Sequence, residues 1–130
     1  MARNGERGFT LLELVTVTIL IGVLVAVALP NFRVSIIQAR EAVLKEDLFR
    51  LRDLLDQYYA DKGKYPESLE SLVEAGYLKK LPADPLTGQA DWVTVPAEPD
   101  PANPADVGGV FDVKSASTAI ALDGTPYAEW

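Results

Sequence analysis

A single carboxylate, Glu13, stands near the start of an otherwise uncharged run from Phe9 to Leu29. Inside a membrane a carboxylate costs about 2.5–3.5 kcal/mol, so a lone one calls for a partner and a task. The bond between Gly8 and Phe9 could supply that partner. If it is cut, the α-amine of Phe9 becomes a cation four residues before Glu13, and the two attract strongly at low dielectric. Other chemistry is scarce. The chain has no histidine and no cysteine, which removes the usual general base, the commonest metal ligand and every Ser–His or Cys–His nucleophile pair. Glu67, Glu70 and Glu74 recur at helical spacing and read as a solvated face rather than a reacting cluster. A net charge of −7 argues against nucleic acid as a partner.

The element that positions Glu13 is the apolar run itself. Its 21 residues would span roughly 31 Å as a helix, close to the thickness of a bilayer core. Arg3 and Arg7 precede it, which predicts a cytoplasmic N-terminus and an outward-facing remainder. Two other readings compete: a plain anchor, and a secretory signal cut after Ala26-Val27-Ala28. The second would leave Pro30 two residues beyond the cut, and neither gives Glu13 a purpose. Past Pro30, where a kink or a local loss of hydrogen bonding is expected, the helix continues. Ile37, Leu44, Leu48, Leu51, Leu55 and Tyr58 form one apolar stripe, while Arg40, Glu41, Lys45, Glu46, Arg50, Arg52 and Asp53 read as its solvated face. Gly22 permits close backbone approach or local unwinding.

The rest is a small head, residues 61–130. Gly63 and Pro66 should end the long helix. Leu69, Leu72 and Val73 predict a short helix closed by Gly76, with Ser68 as N-cap and Ser71/Glu74 as a weaker capping box. Residues 82–108 read as a loop containing a short strand, Trp92 to Val95. Residues 109–122 read as a hairpin of Gly109–Val113 against Thr118–Leu122, followed by a turn at Asp123-Gly124-Thr125-Pro126. The fold class is therefore α+β: a long N-terminal helix packed on a head with a short helix and a small antiparallel sheet.

Gly8-Phe9-Thr10-Leu11-Leu12-Glu13-Leu14 resembles the class III signal motif of type IV pilins and type II secretion pseudopilins. The head motifs Gly63-Lys64-Tyr65-Pro66, Leu81-Pro82-Ala83-Asp84-Pro85 and Asp112-Val113-Lys114-Ser115, with the closing Trp130, are similar to the major pseudopilin branch of type II secretion. Asp84-Pro85-Leu86-Thr87-Gly88 departs from that branch's Asp-Pro-Trp-Gly. The resemblance implies a leader at 1–8, cleavage after Gly8, methylation of Phe9, an assembly helix at 9–30 and an amphipathic half at 31–60. It implies a structural subunit rather than an enzyme, polymerising into a periplasmic pseudopilus that drives protein secretion; a surface pilus for adhesion, motility or DNA uptake is the alternative, ahead of a membrane-anchored binding module. Implied partners are further copies of the chain, a prepilin peptidase, an inner-membrane platform with its ATPase, minor pseudopilins, and membrane lipid before assembly. The head would face the periplasm. The branch also implies a calcium ion in the C-terminal loop, with Asp112 and Asp123 as candidate ligands; the competing reading makes both aspartates turn residues that cap backbone amides.

Overall fold

A computed structural model describes residues 8–104 and 108–130, so the leader residues 1–7 and part of the expected 82–108 loop lie outside the described residues. The chain divides into two compact units, one ending at Ile36 and one running from Ile37 to Trp130.

The described part of the first unit is the front of helix α1 (Leu11–Lys62), which opens on a reciprocal cap. The Glu13 amide donates to Thr10 Oγ1 at 3.2 Å, and the Thr10 amide donates to Glu13 Oε2 at 3.4 Å. Two otherwise orphaned amides of the first turn are satisfied this way, the arrangement expected of Thr-x-x-Glu. The helix then runs through Pro30 without interruption. Thr16 and Thr18 return their hydroxyl protons to the carbonyls of Leu12 and Leu14, each at 2.8 Å, so neither presents an unsatisfied donor to an apolar surrounding. No residue of this stretch is buried.

The second unit forms around the other end of α1. Leu44, Leu48, Leu51 and Leu55 recur every three or four residues and are all buried, against Leu69, Leu72, Trp92, Val110, Val113, Ala121 and Tyr127. Gly63 closes α1 at φ 72, its amide donating to Tyr59 O at 2.8 Å. Helix α2 (Leu69–Glu74) has Ser68 at its N-cap position. Contrary to expectation, the Ser68 hydroxyl pairs with that of Ser71 rather than with a backbone amide, which also leaves the Ser71/Glu74 capping box unformed.

The sheet corrects the expected hairpin at 109–122. Strand β2 (Val110–Lys114) pairs antiparallel with β1 (Val93–Pro96), the earlier short strand, and residues 118–122 contribute only an isolated bridge from Ile120 to Pro126. The physical reason lies at Ser115. Its hydroxyl donates to buried Asp84 Oδ2 at 2.5 Å and accepts from the Ser117 amide at 3.2 Å. That side-chain turn draws the chain into the core instead of reversing it, and Lys114–Ser117 holds no glycine or asparagine suited to a tight hairpin. At the other end Gly109, at φ 146, brings β2 so close to Tyr65 and Pro66 that an added Cβ would stand 2.9 Å from their atoms.

Candidate functional site

Gly8 and Phe9 precede the first helical turn in exposed chain without regular secondary structure, and Phe9 is 85% exposed. A peptide bond outside any helix is one that a protease can seat. Glu13 lies one turn on, exposed, with its carboxylate only loosely held by the Thr10 amide. The cap explains part of why a glutamate stands here, a role that sequence reasoning missed although Thr10 three residues upstream signals it. Capping leaves acceptor capacity free, because an ionised carboxylate offers about four lone-pair sites.

Gly22 and Pro30 both lie within α1. Among the described residues nothing beyond its own stretch of helix comes within 4 Å of a Cβ added at Gly22, so none of them requires glycine there. Pro30 has no N–H and leaves the carbonyl one turn before it without its helical donor. Apolar side chains remain exposed along the whole stretch, from Leu11 at 78% through Leu24 at 69% to Phe32 at 65%. Among the described residues α1 is the one helix long and apolar enough to cross a membrane, and its apolar window is entirely unburied. Burying one such side chain is worth about 1.5–3 kcal/mol, so this surface demands lipid or other protein.

Charged residues read as the solvated face of α1 do more than that. Glu41 Oε1 accepts from the Leu122 amide and from the Tyr127 hydroxyl, both at 2.8 Å. Burial, together with that bond to Glu41, pushes the Tyr127 hydroxyl above its usual pKa. Arg52 donates through Nε to Asp112 Oδ1 at 2.7 Å and through Nη2 to the main-chain oxygens of Val113 at 3.0 Å and Trp130 at 2.6 Å. These two side chains pin the C-terminal segment to α1. Glu41 sits three residues before Leu44 and Arg52 four after Leu48, both on the margin of the leucine stripe; that spacing was the available signal.

The candidate calcium ligands are thereby accounted for by protein partners. Asp112 is in the ion pair with Arg52. Asp123 accepts from the Thr125 amide at 2.9 Å and the Thr125 hydroxyl at 2.6 Å, and these bonds hold its pKa below the ordinary value. Among the described residues no three acidic side chains form a group that could hold a metal. Calcium asks for six to eight oxygens, and a guanidinium on one ligand opposes a second cation, so the donor set does not fit the ion.

The prokaryotic N-terminal methylation motif matches residues 3–29. The chain is 37% identical over 88% of its length to type II secretion system core protein G of Escherichia coli K12, covering 83% of that protein. It is 30% identical over 72% of its length to the protein of the same name from Klebsiella michiganensis, covering 78% of it. It is 36% identical over 65% of its length to that of Pseudomonas aeruginosa, covering 71%. No solved structure matches.

Proposed function

This chain belongs to the family of type II secretion system core protein G, and from that premise we infer that it is the repeating structural subunit of a pseudopilus that drives protein secretion. It is not an enzyme; its chemistry is that of assembly. The observation that carries the mechanism is the bare apolar front of α1, whose apolar window is unburied, while the buried cluster among the described residues draws on none of it. In lipid the helix is solvated. Drawn out of lipid, it is stable only where identical helices cover it, and head-to-tail contacts that do not close produce a filament. The surface-pilus alternative is not favoured, since the relatives carry the name of the secretion system.

The chain is membrane-anchored through this helix, and we place its head in the periplasm on the strength of Arg3 and Arg7 before the span. Cleavage follows Gly8 and methylation falls on Phe9, both exposed. Glu13 of an incoming copy takes the Phe9 amine of its neighbour, while Gly22 and Pro30 are where α1 would loosen on assembly. The partners in this reading are a prepilin peptidase, an inner-membrane platform with its ATPase, minor pseudopilins and copies of the chain itself. Intact mass and N-terminal sequencing of membrane-extracted protein test it. A chain beginning at methylated Phe9 is expected, together with filaments that vanish in a Glu13→Ala variant that still inserts. A mature N-terminus at any other residue overturns it.

A further inference from the structure

Both carboxylates that the sequence offers as calcium ligands face a fixed cation of α1. Arg52 presents one edge of its guanidinium, Nε and Nη2, to three oxygens: Asp112 Oδ1 at 2.7 Å, Val113 O at 3.0 Å and Trp130 O at 2.6 Å. Lys45, two turns earlier on the same helix, holds its ammonium 4.7 Å from the centre of the Trp130 ring. The Asp123 pKa is lowered first by its bonds to Thr125 and then, against some burial, by the charge of Lys45.

The oxygens around Arg52 are of the kind a hard cation collects. Calcium takes carboxylates and main-chain carbonyls from flexible chain, and here one carboxylate oxygen and two carbonyls converge. A planar fork gathers them instead, and its charge is permanent. The three come from separate places: Asp112 and Val113 from β2, Trp130 from sixteen residues past that strand. Drawing them to one point ties the C-terminal segment back onto α1. Glu41 adds a bond of the opposite sense about three turns away, accepting from the Leu122 amide and the Tyr127 hydroxyl. A divalent ion at Asp112 would lie against a bonded guanidinium, and at Asp123 it would meet the field of Lys45. Like charges a few ångströms apart repel, so the positive charge this segment needs is already in place.

We propose that Arg52 does for the C-terminal segment of this chain what the calcium ion implied by the resemblance would do, so that the head closes and holds without a divalent cation. Arg52 is a positioning residue in this role: it sets where β2 and the end of the segment meet α1. The inference goes beyond the reading of the chain as a filament subunit and does not depend on it, because it concerns how one copy holds its own segment.

Full-length protein in detergent micelles, freed of metal with a chelator, is melted with and without calcium. At about 10 mM, well above the Kd of weak extracellular calcium modules, the ion is expected to move the Tm of the parent by less than about 1 °C. Arg52→Ala should melt roughly 10 °C lower, having lost three bonds of which one is to a charge. Its Asp112 carboxylate and the two carbonyls are then open to a mobile cation. The same calcium should therefore raise the Tm of Arg52→Ala by about 3 °C or more, and that gain should vanish once Asp112→Asn is added. A response of this kind is one that an arginine needed only for packing would not leave behind. Arg52→Lys keeps the test sharp should the alanine variant fail to fold. An ammonium cannot span the oxygens that the fork spans, so its Tm should fall by more than about 5 °C. A parent whose Tm climbs several degrees with calcium overturns the proposal, and so does Arg52→Ala that gains nothing from the ion. Arg52→Lys or Arg52→Ala that melts with the parent overturns it as well.

Discussion

The carboxylate of Glu13 lies 3.4 Å from the Thr10 amide while the Thr10 hydroxyl lies 3.2 Å from the Glu13 amide, so one side chain serves both a local cap and, in the proposed filament, an ion pair. Glutamine separates the two. It fills the same position of a capping box but carries no charge. Glu13→Gln should insert and remain as helical as the parent by circular dichroism, yet lose filament yield about tenfold or more, the scale of an unpaired charge at low dielectric. Thr10→Ala should do the reverse: it forfeits about 1 kcal/mol of cap, which insertion easily outweighs, and filaments persist. A Gln variant that assembles normally would show that the charge is not used. In the head, Arg52 forms three bonds that only a planar fork can make together. Arg52→Lys is therefore expected to recover little of what Arg52→Ala loses. The alanine should cost about 2–3 kcal/mol in urea melts of residues 37–130, the unit that holds the whole described core.

At the scale of elements, the head half of α1 was legible because its information is periodic. Leucines at 44, 48, 51 and 55 can share a core only as a helix, and all four are buried. Leu51→Ala should remove about 2–5 kcal/mol, because the residue is fully enclosed. What stayed hidden was long-range. β1 finds β2 across a connection that holds Gly108 and Gly109, and no local pattern says that Ser115 will turn inward to Asp84 instead of starting a hairpin. Likewise Glu41 and Arg52 look solvated until the tail that they hold is seen against them. The same helix makes a prediction about pH. Asp47 binds its proton more readily folded than unfolded, so it favours the fold in acid and opposes it once pH rises past its raised pKa. Asp47→Asn should therefore raise the Tm of residues 37–130 at pH 7, with the gain fading below about pH 4, where the unfolded carboxyl also protonates. Asp123 runs the other way: its depressed pKa supports the fold above about pH 4, and that support is lost as acid protonates it. At the alkaline end the raised pKa of Tyr127 favours the fold up to about pH 10, and the support is lost as pH climbs through the raised value.

For the whole molecule, the division at Ile36 separates a part that holds a buried core from a part whose apolar surface asks for lipid or other protein. Among the described residues the eleven of the buried apolar cluster lie at or after Leu44, whereas side chains from Leu11 to Phe32 remain exposed. Stability and assembly are thus assigned to different stretches of sequence, which frees substitutions in one from penalties in the other. Removing residues 1–36 should leave a soluble head with unchanged thermal unfolding that elutes as a monomer and forms no filament at any concentration tested. A truncated head that polymerises unaided would mean that the apolar helix is an anchor only, and that the forces holding copies together lie among the heads.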